Sequence, residues 1–151
     1  MIQQTSELVI EKSVVVAAPI ETAFRVFTEE IGTWWPLRTH AVDTETSETV
    51  VMEGRVGGRL FERTPVGTEH VWGVLVAWEP PTRVGYTWYP GRGEETAQEV
   101  EVTFTPEGDG TRVEVRHWGW EKHPGSLEET ISSYTEGWDT VLGHYVEAAN
   151  A

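Results

Sequence analysis

Between Ser126 and Ala149 the apolar residues Ile131, Tyr134, Trp138, Val141, Leu142 and Tyr145 recur at steps of three and four. Glu128, Glu129, Glu136, Asp139 and Glu147 fall mostly off that stripe. The spacing puts the apolar set on one face of a single helix. A helix of that length spans roughly 36 Å, too much for a short neighbouring helix to cover. The chain between residues 45 and 120 reads as strands, so a curved sheet wrapped around this helix is the economical partner. Pro124 and Gly125 break the preceding strand, Ser126 is placed to cap the first turn, and Glu129 completes a capping box.

The remaining elements follow in order. Leu8 to Val16 reads as a strand with Leu8, Ile10, Val14 and Val16 on one face and Lys12 interrupting it. Pro19 opens a short amphipathic helix to Thr28, striped by Ile20, Ala23, Phe24, Phe27 and Ile31, with Gly32 closing it. Thr33 to Pro36 forms a compact aromatic turn or second helical fragment. Arg38 to Ser47 is a loop, long for a compact domain and therefore a candidate lid or pocket rim.

From Glu48 turn residues arrive every eight to twelve positions, as in an antiparallel meander. Strands are expected at 49–55, 59–64, 68–78, 82–89, 97–105 and 111–118. Val84, Tyr86 and Trp88 alternate against Arg83, Gly85 and Thr87, and Val100, Val102 and Phe104 against Glu99, Glu101 and Thr103. One face is then wet and one dry, and only the last helix is long and apolar enough to cover the dry one. On the strand at 68–78 two choices stay open for the inward face: His70, Trp72 and Val74, or Val71, Gly73 and Leu75. The acids Glu94, Glu95, Glu99 and Glu101 read as a solvated edge that guards a strand from pairing with other chains.

The chain of 151 residues fits one domain, residues 1–151, able to bury roughly two-thirds of the surface its unfolded form exposes. It has no cysteine, which excludes disulfides and thiolate chemistry and fits a reducing compartment. Met1 to Glu7 lacks the basic start and apolar core of an export signal, and no run approaches membrane-spanning length. The expected location is cytoplasmic. A net charge of −14 argues against nucleic acid and against anionic membrane surfaces. Eight tryptophans either fill a core or line a partly polar cavity, because a buried indole N–H needs an acceptor.

Several stretches together resemble one superfamily. Val16 to Phe24 is similar to its strand-to-helix entry, Gly54 to Leu60 to its glycine hairpin, and Trp72 to Leu75 with Trp78 to Val84 to its central turn. Tyr86 to Trp88, Gly110 to Val113 with His117, and Gly137 to Leu142 complete the set. This is the SRPBCC superfamily of START-like, birch-pollen-allergen-like helix-grip folds. The likeness is to the branch containing the C-terminal domain of the activator of the ninety-kilodalton heat-shock chaperone ATPase. The resemblance implies an α+β architecture: one strand, two short helices, six further strands and a long C-terminal helix held against a concave sheet. It does not imply one activity, since the superfamily includes lipid carriers, receptors, cyclases and chaperone-binding modules.

A helix laid across a curved sheet leaves a cavity where facing side chains are too short to meet. Its expected lining is Trp72, Tyr86, Trp88, His117, Tyr134 and Trp138, with Trp34, Trp35 and Arg38 at the mouth. Gly73 and Gly85 would let a ligand or the helix approach the backbone. His117 continues an apolar face at a strand end, and the plainer reading, a buried histidine satisfied by one neighbour such as a helix tyrosine, is favoured over catalysis. The five histidines share no short ligand spacing, so no metal and no cofactor is expected. No nucleophile elbow and no phosphate loop is present. The leading expectation is a small hydrophobic or aromatic ligand held between sheet and helix. The alternatives are a protein-interaction module that binds a chaperone or forms a homodimer through exposed Trp118 and Trp120, and a cyclase or hydrolase that uses His117.

Overall fold

The computed structural model describes residues 8–151. The reading of Met1 to Glu7 lies outside the described residues. The order is β1 (Ile10–Val16), α1 (Ile20–Thr28), α2 (Ile31–Trp34), β2 (Thr49–Met52), β3 (Arg59–Arg63), β4 (Glu69–Glu79), β5 (Arg83–Trp88), β6 (Gln98–Glu107), β7 (Gly110–Trp118) and α3 (Leu127–Asn150). The strands form one antiparallel sheet in the order β1-β7-β6-β5-β4-β3-β2. The architecture is the α+β helix-grip arrangement expected, with α3 lying across the concave face.

The stripe on α3 does what its spacing demands. Trp138, Val141, Leu142 and Tyr145 are buried, and each contributes on the order of 1.5–3 kcal/mol by leaving water. The C-terminal half of the helix packs hardest: Tyr145 donates its hydroxyl to the Ala23 carbonyl at 2.8 Å and sets its ring against Phe27. Asn150 accepts from the Ala17 amide at 2.7 Å and ties the helix end to the start of α1. Lys12, the interruption in β1, turns toward the helix and pairs with Asp139 at 2.9 Å.

Local expectations fail where tertiary contacts override them. Ser126 is the N-cap residue of α3 but its side chain makes no capping bond, so the capping box does not form. Gly32 does not close α1, which ends at Thr28 with its hydroxyl turned back to the Phe24 carbonyl at 2.7 Å. Gly32 sits inside α2, where a Cβ would stand 2.7 Å from the Val50 carbonyl oxygen. Its missing side chain lets α2 lie on β2. The strand expected at 49–55 stops at Met52.

Neither alternation set on β4 is correct. The register against β3 slips between Leu60 and Phe61, and against β5 between Leu75 and Ala77. These bulges rotate the strand, so Trp72 and Leu75 both enter the core despite their odd separation. On β3 the inner face carries an acid. Leu60 and Glu62 are fully buried on the core side, while Phe61 is covered by the guanidinium groups of Arg59 and Arg63 at 4.3 and 5.3 Å. The acids of β6 guard no edge, since β6 lies inside the sheet, and Glu101 pairs there with Arg83 at 2.6 Å. Gly73 admits the Thr87 backbone and Gly85 sits beside Ala77, so neither opens the sheet to a ligand or to α3.

Candidate functional site

The N-terminal half of α3 stands off the sheet and leaves a cavity of about 250 Å³. Its walls are Trp72 on β4, Trp88 at the end of β5, and Tyr134, Gly137, Trp138 and Val141 on α3. Trp35 closes one end. The loop residues Thr39, His40, Ala41 and Val42 form the roof, with Pro90 at the margin.

The indole N–H groups on these walls all end on protein acceptors. Trp35 donates to the His40 carbonyl at 2.6 Å, Trp72 to Glu62 Oε1 at 2.6 Å, Trp88 to the Tyr134 hydroxyl at 3.2 Å, and Trp138 to His117 Nδ1 at 3.0 Å. The rings are mutually tilted, with Trp35 and Trp72 centroids 4.9 Å apart and Trp72 and Trp88 5.5 Å apart. The four indoles therefore line the cavity as carbon surfaces with their donors already committed.

Glu62 holds the roof. It is a buried carboxylate that receives the Val42 amide at 2.6 Å and the Trp72 indole on Oε1, and the Asp43 amide at 2.9 Å and the Ser47 hydroxyl at 2.5 Å on Oε2. Burial pushes its pKa up, but the bonds from Ser47, Asp43, Val42 and Trp72 outweigh that and hold the group below its ordinary value. One side chain thus fixes both the loop and a wall indole.

Of the nine side chains expected at the site, five are on the cavity: Trp35, Trp72, Trp88, Tyr134 and Trp138. Trp34 faces the core instead, with its N–H on the Val26 carbonyl at 2.7 Å and its ring 5.3 Å from Tyr145. Arg38 turns outward and binds the Glu45 carbonyl at 2.7 Å and the Ser47 carbonyl, which shapes the loop. Tyr86 is buried beneath Trp88, and burial raises its pKa far above the ordinary phenol value. His117 lies behind Trp138. Its Nδ1 accepts from that tryptophan, not from a tyrosine, its buried Nε2 has no partner among the described residues, and burial lowers its pKa to about 3.

Trp120, expected to be exposed, is fully buried in a short 3-10 turn with its ring 4.2 Å from His117. Trp118 is half-buried beside Arg116. Trp120 therefore does not present the exposed ring expected for a homodimer or chaperone contact.

The roof residues His40, Ala41 and Val42 lie in the loop expected as a lid or rim without being singled out, while the wall glycine Gly137 and the acid Glu62 are not among the expected site residues. The long loop was the signal for the first three. A glycine inside a strongly patterned helix, costly by about 1 kcal/mol relative to alanine, was the signal for Gly137. Among the described residues no group of three or more His, Cys, Asp or Glu is arranged to hold a metal, and no helix is long and apolar enough to cross a membrane.

Residues 17–149 match the family described as activator of Hsp90 ATPase homolog 1-like protein. The chain belongs to this family. No curated protein matches it. Among solved structures, an anthrahydroquino-γ-pyrone synthase, Txn09, is 38% identical, with 82% of this chain and 84% of that one aligned at a TM-score of 0.57. The Aha1 dimer from Colwellia psychrerythraea is 17% identical over 94% of this chain and 96% of that one, with a TM-score of 0.69. Protein MLL2253 from Mesorhizobium loti is 17% identical over 92% and 94%, with a TM-score of 0.65. The last two likenesses are of fold alone. Membership in the activator-like family thus covers nearly the whole chain and leaves the activity to be argued from the site.

Proposed function

We propose that the cavity binds a flat, fused-ring aromatic molecule and that the domain acts on it as a ring-forming synthase. The observation that carries this reading is the orientation of the indoles. Four tryptophans present carbon faces with every N–H committed elsewhere, which favours a planar apolar ring system over a peptide or a sugar. The volume agrees. A cavity of about 150 Å³ takes up benzene, so about 250 Å³ suits two or three fused rings. The 38% identity to Txn09 supports the synthase part of the reading.

The test is titration with naphthalene and anthraquinone followed by tryptophan fluorescence, with Trp88→Ala as the control. Saturable quenching that weakens at least tenfold in the variant supports the reading. No saturable binding of either ring system removes it.

A further inference from the structure

The phenol of Tyr134 has a hydrogen that finds no acceptor among the described residues. An indole can only donate, so in the 3.2 Å contact with Trp88 the tyrosine oxygen accepts, and its own hydrogen points elsewhere. The three rings packed on Tyr134 offer it nothing. His117, 5.3 Å away between centroids, takes the Trp138 N–H on Nδ1 and therefore carries its hydrogen on Nε2. His123, at 6.4 Å, takes the Gly125 amide on Nδ1 at 3.0 Å and is likewise a donor at Nε2. Trp120, at 5.3 Å, has only its N–H, which goes to the His117 carbonyl. Gln98 Oε1, a buried acceptor on the same end of the sheet, has no partner and so lies beyond reach of the hydroxyl.

His117, Trp120 and His123 flank the Tyr134 ring without lining the cavity, whereas Trp88, the partner of its hydroxyl, does line it. The ring is clamped on its protein side, and the hydroxyl edge is the part turned to the void. Since the four wall indoles have committed their N–H groups, this O–H is a fixed donor among carbon surfaces.

We propose that the Tyr134 hydroxyl selects the ligands of this cavity, and that they are fused-ring aromatic ketones and quinones whose carbonyl oxygen accepts from it. This rests on the aromatic-binding reading above and names the ligand class within it. A ring carbonyl holds its oxygen in the plane of the rings, so a flat molecule lying along the indole faces presents that oxygen at its edge, where a donor approaches best. It also brings no hydrogen of its own to be placed, as a ring hydroxyl would. Tyr134 is thus a binding and specificity residue, and the bond it makes to the ligand leaves its bond from Trp88 intact.

The experiment compares 9-fluorenone with fluorene, the same three rings with and without a carbonyl, on the wild-type chain and on Tyr134→Phe. Equilibrium dialysis gives the affinities, infrared spectroscopy the carbonyl stretch of bound fluorenone, and near-ultraviolet circular dichroism the fold. The variant also frees the Trp88 N–H, and fluorene reads any damage to the wall separately. The expected result is that the fluorenone-to-fluorene affinity ratio falls roughly three- to tenfold in Tyr134→Phe, the range of one hydrogen bond. In the wild-type complex the carbonyl stretch should lie below its frequency in an alkane solvent. An unchanged ratio, or a wild-type stretch at the alkane position, overturns the role of Tyr134 and leaves the aromatic site standing. Failure of both compounds to bind the wild-type chain overturns the aromatic reading and this proposal with it.

Discussion

Replacing Glu62 by glutamine tests the roof directly. The carboxylate accepts four hydrogen bonds, two on each oxygen, and two of the donors are the backbone amides of Val42 and Asp43. Glutamine keeps the volume but offers one oxygen and one NH₂. Either orientation points the NH₂ at one of those amides, which then has no acceptor. A buried unsatisfied donor costs about 1–3 kcal/mol, and the surviving bonds fall from the charge-assisted range of roughly 1.5–3 to about 1 kcal/mol each. A net loss of about 3 kcal/mol follows, concentrated where the loop meets the sheet. Urea unfolding gives the global change. Hydrogen exchange gives the local one, with the Val42 and Asp43 amides exchanging on the order of a hundredfold faster. A change below about 0.5 kcal/mol with unaltered exchange would refute the assignment of Glu62 as the tether. The same bonds set an acid dependence. The folded pKa lies below the ordinary 4.5, so the tether's contribution is complete above that value and disappears as pH falls through the lower folded one.

Other outcomes follow from the same coordinates. His117 is held neutral, with its pKa moved from 6.5 to about 3, so it contributes stability above pH 6.5 that is lost as pH drops toward 3. The wild-type chain should lose up to about 1.4 kcal/mol per pH unit more than His117→Gln across that window, measured by urea unfolding at a series of pH values. Gly73→Ala would set a Cβ 2.6 Å from the Thr87 carbonyl carbon and should destabilise by about 1–3 kcal/mol as β4 and β5 are forced apart, read as a drop in Tm. Lys12→Ala removes an ion pair whose acid is mostly exposed and should cost less than about 1 kcal/mol in the same assay.

The long-range plan of the chain was legible because periodicity reports it. The stripe from Ile131 to Tyr145 could be buried only by a sheet, and the turn spacing from Glu48 supplied one. What periodicity does not report is a change of register. Trp72 and Leu75 both face the core because β4 is bulged at Trp72 and again just after Leu75, and a bulge leaves no mark in a pattern of apolar residues. Arg59-Leu60-Phe61-Glu62-Arg63 misleads for a related reason. Phe61 and Glu62 point to opposite faces and both are buried, the acid because four donors converge on it and the ring because arginines cover it. Those donors come from the loop and from β4, so their meeting is tertiary information.

The same distinction explains why the cavity persists instead of closing. Large flat side chains around a void would ordinarily rotate into it, since close packing is worth dispersion energy on every contact. Here each wall indole is held by its N–H to a protein acceptor: Trp72 to a carboxylate on β3, Trp138 to a histidine on β7, Trp35 to the roof backbone and Trp88 to the α3 tyrosine. Swinging any ring inward would strand a buried donor and acceptor, at a cost of about 1–3 kcal/mol, comparable to what filling the gap would gain. The hydrogen bonds that satisfy the tryptophans are thereby the ones that keep room for a guest. Removing a single acceptor, as in Glu62→Gln with its amide turned to Trp72, should let that ring relax into the space and weaken aromatic binding while the sheet stays intact.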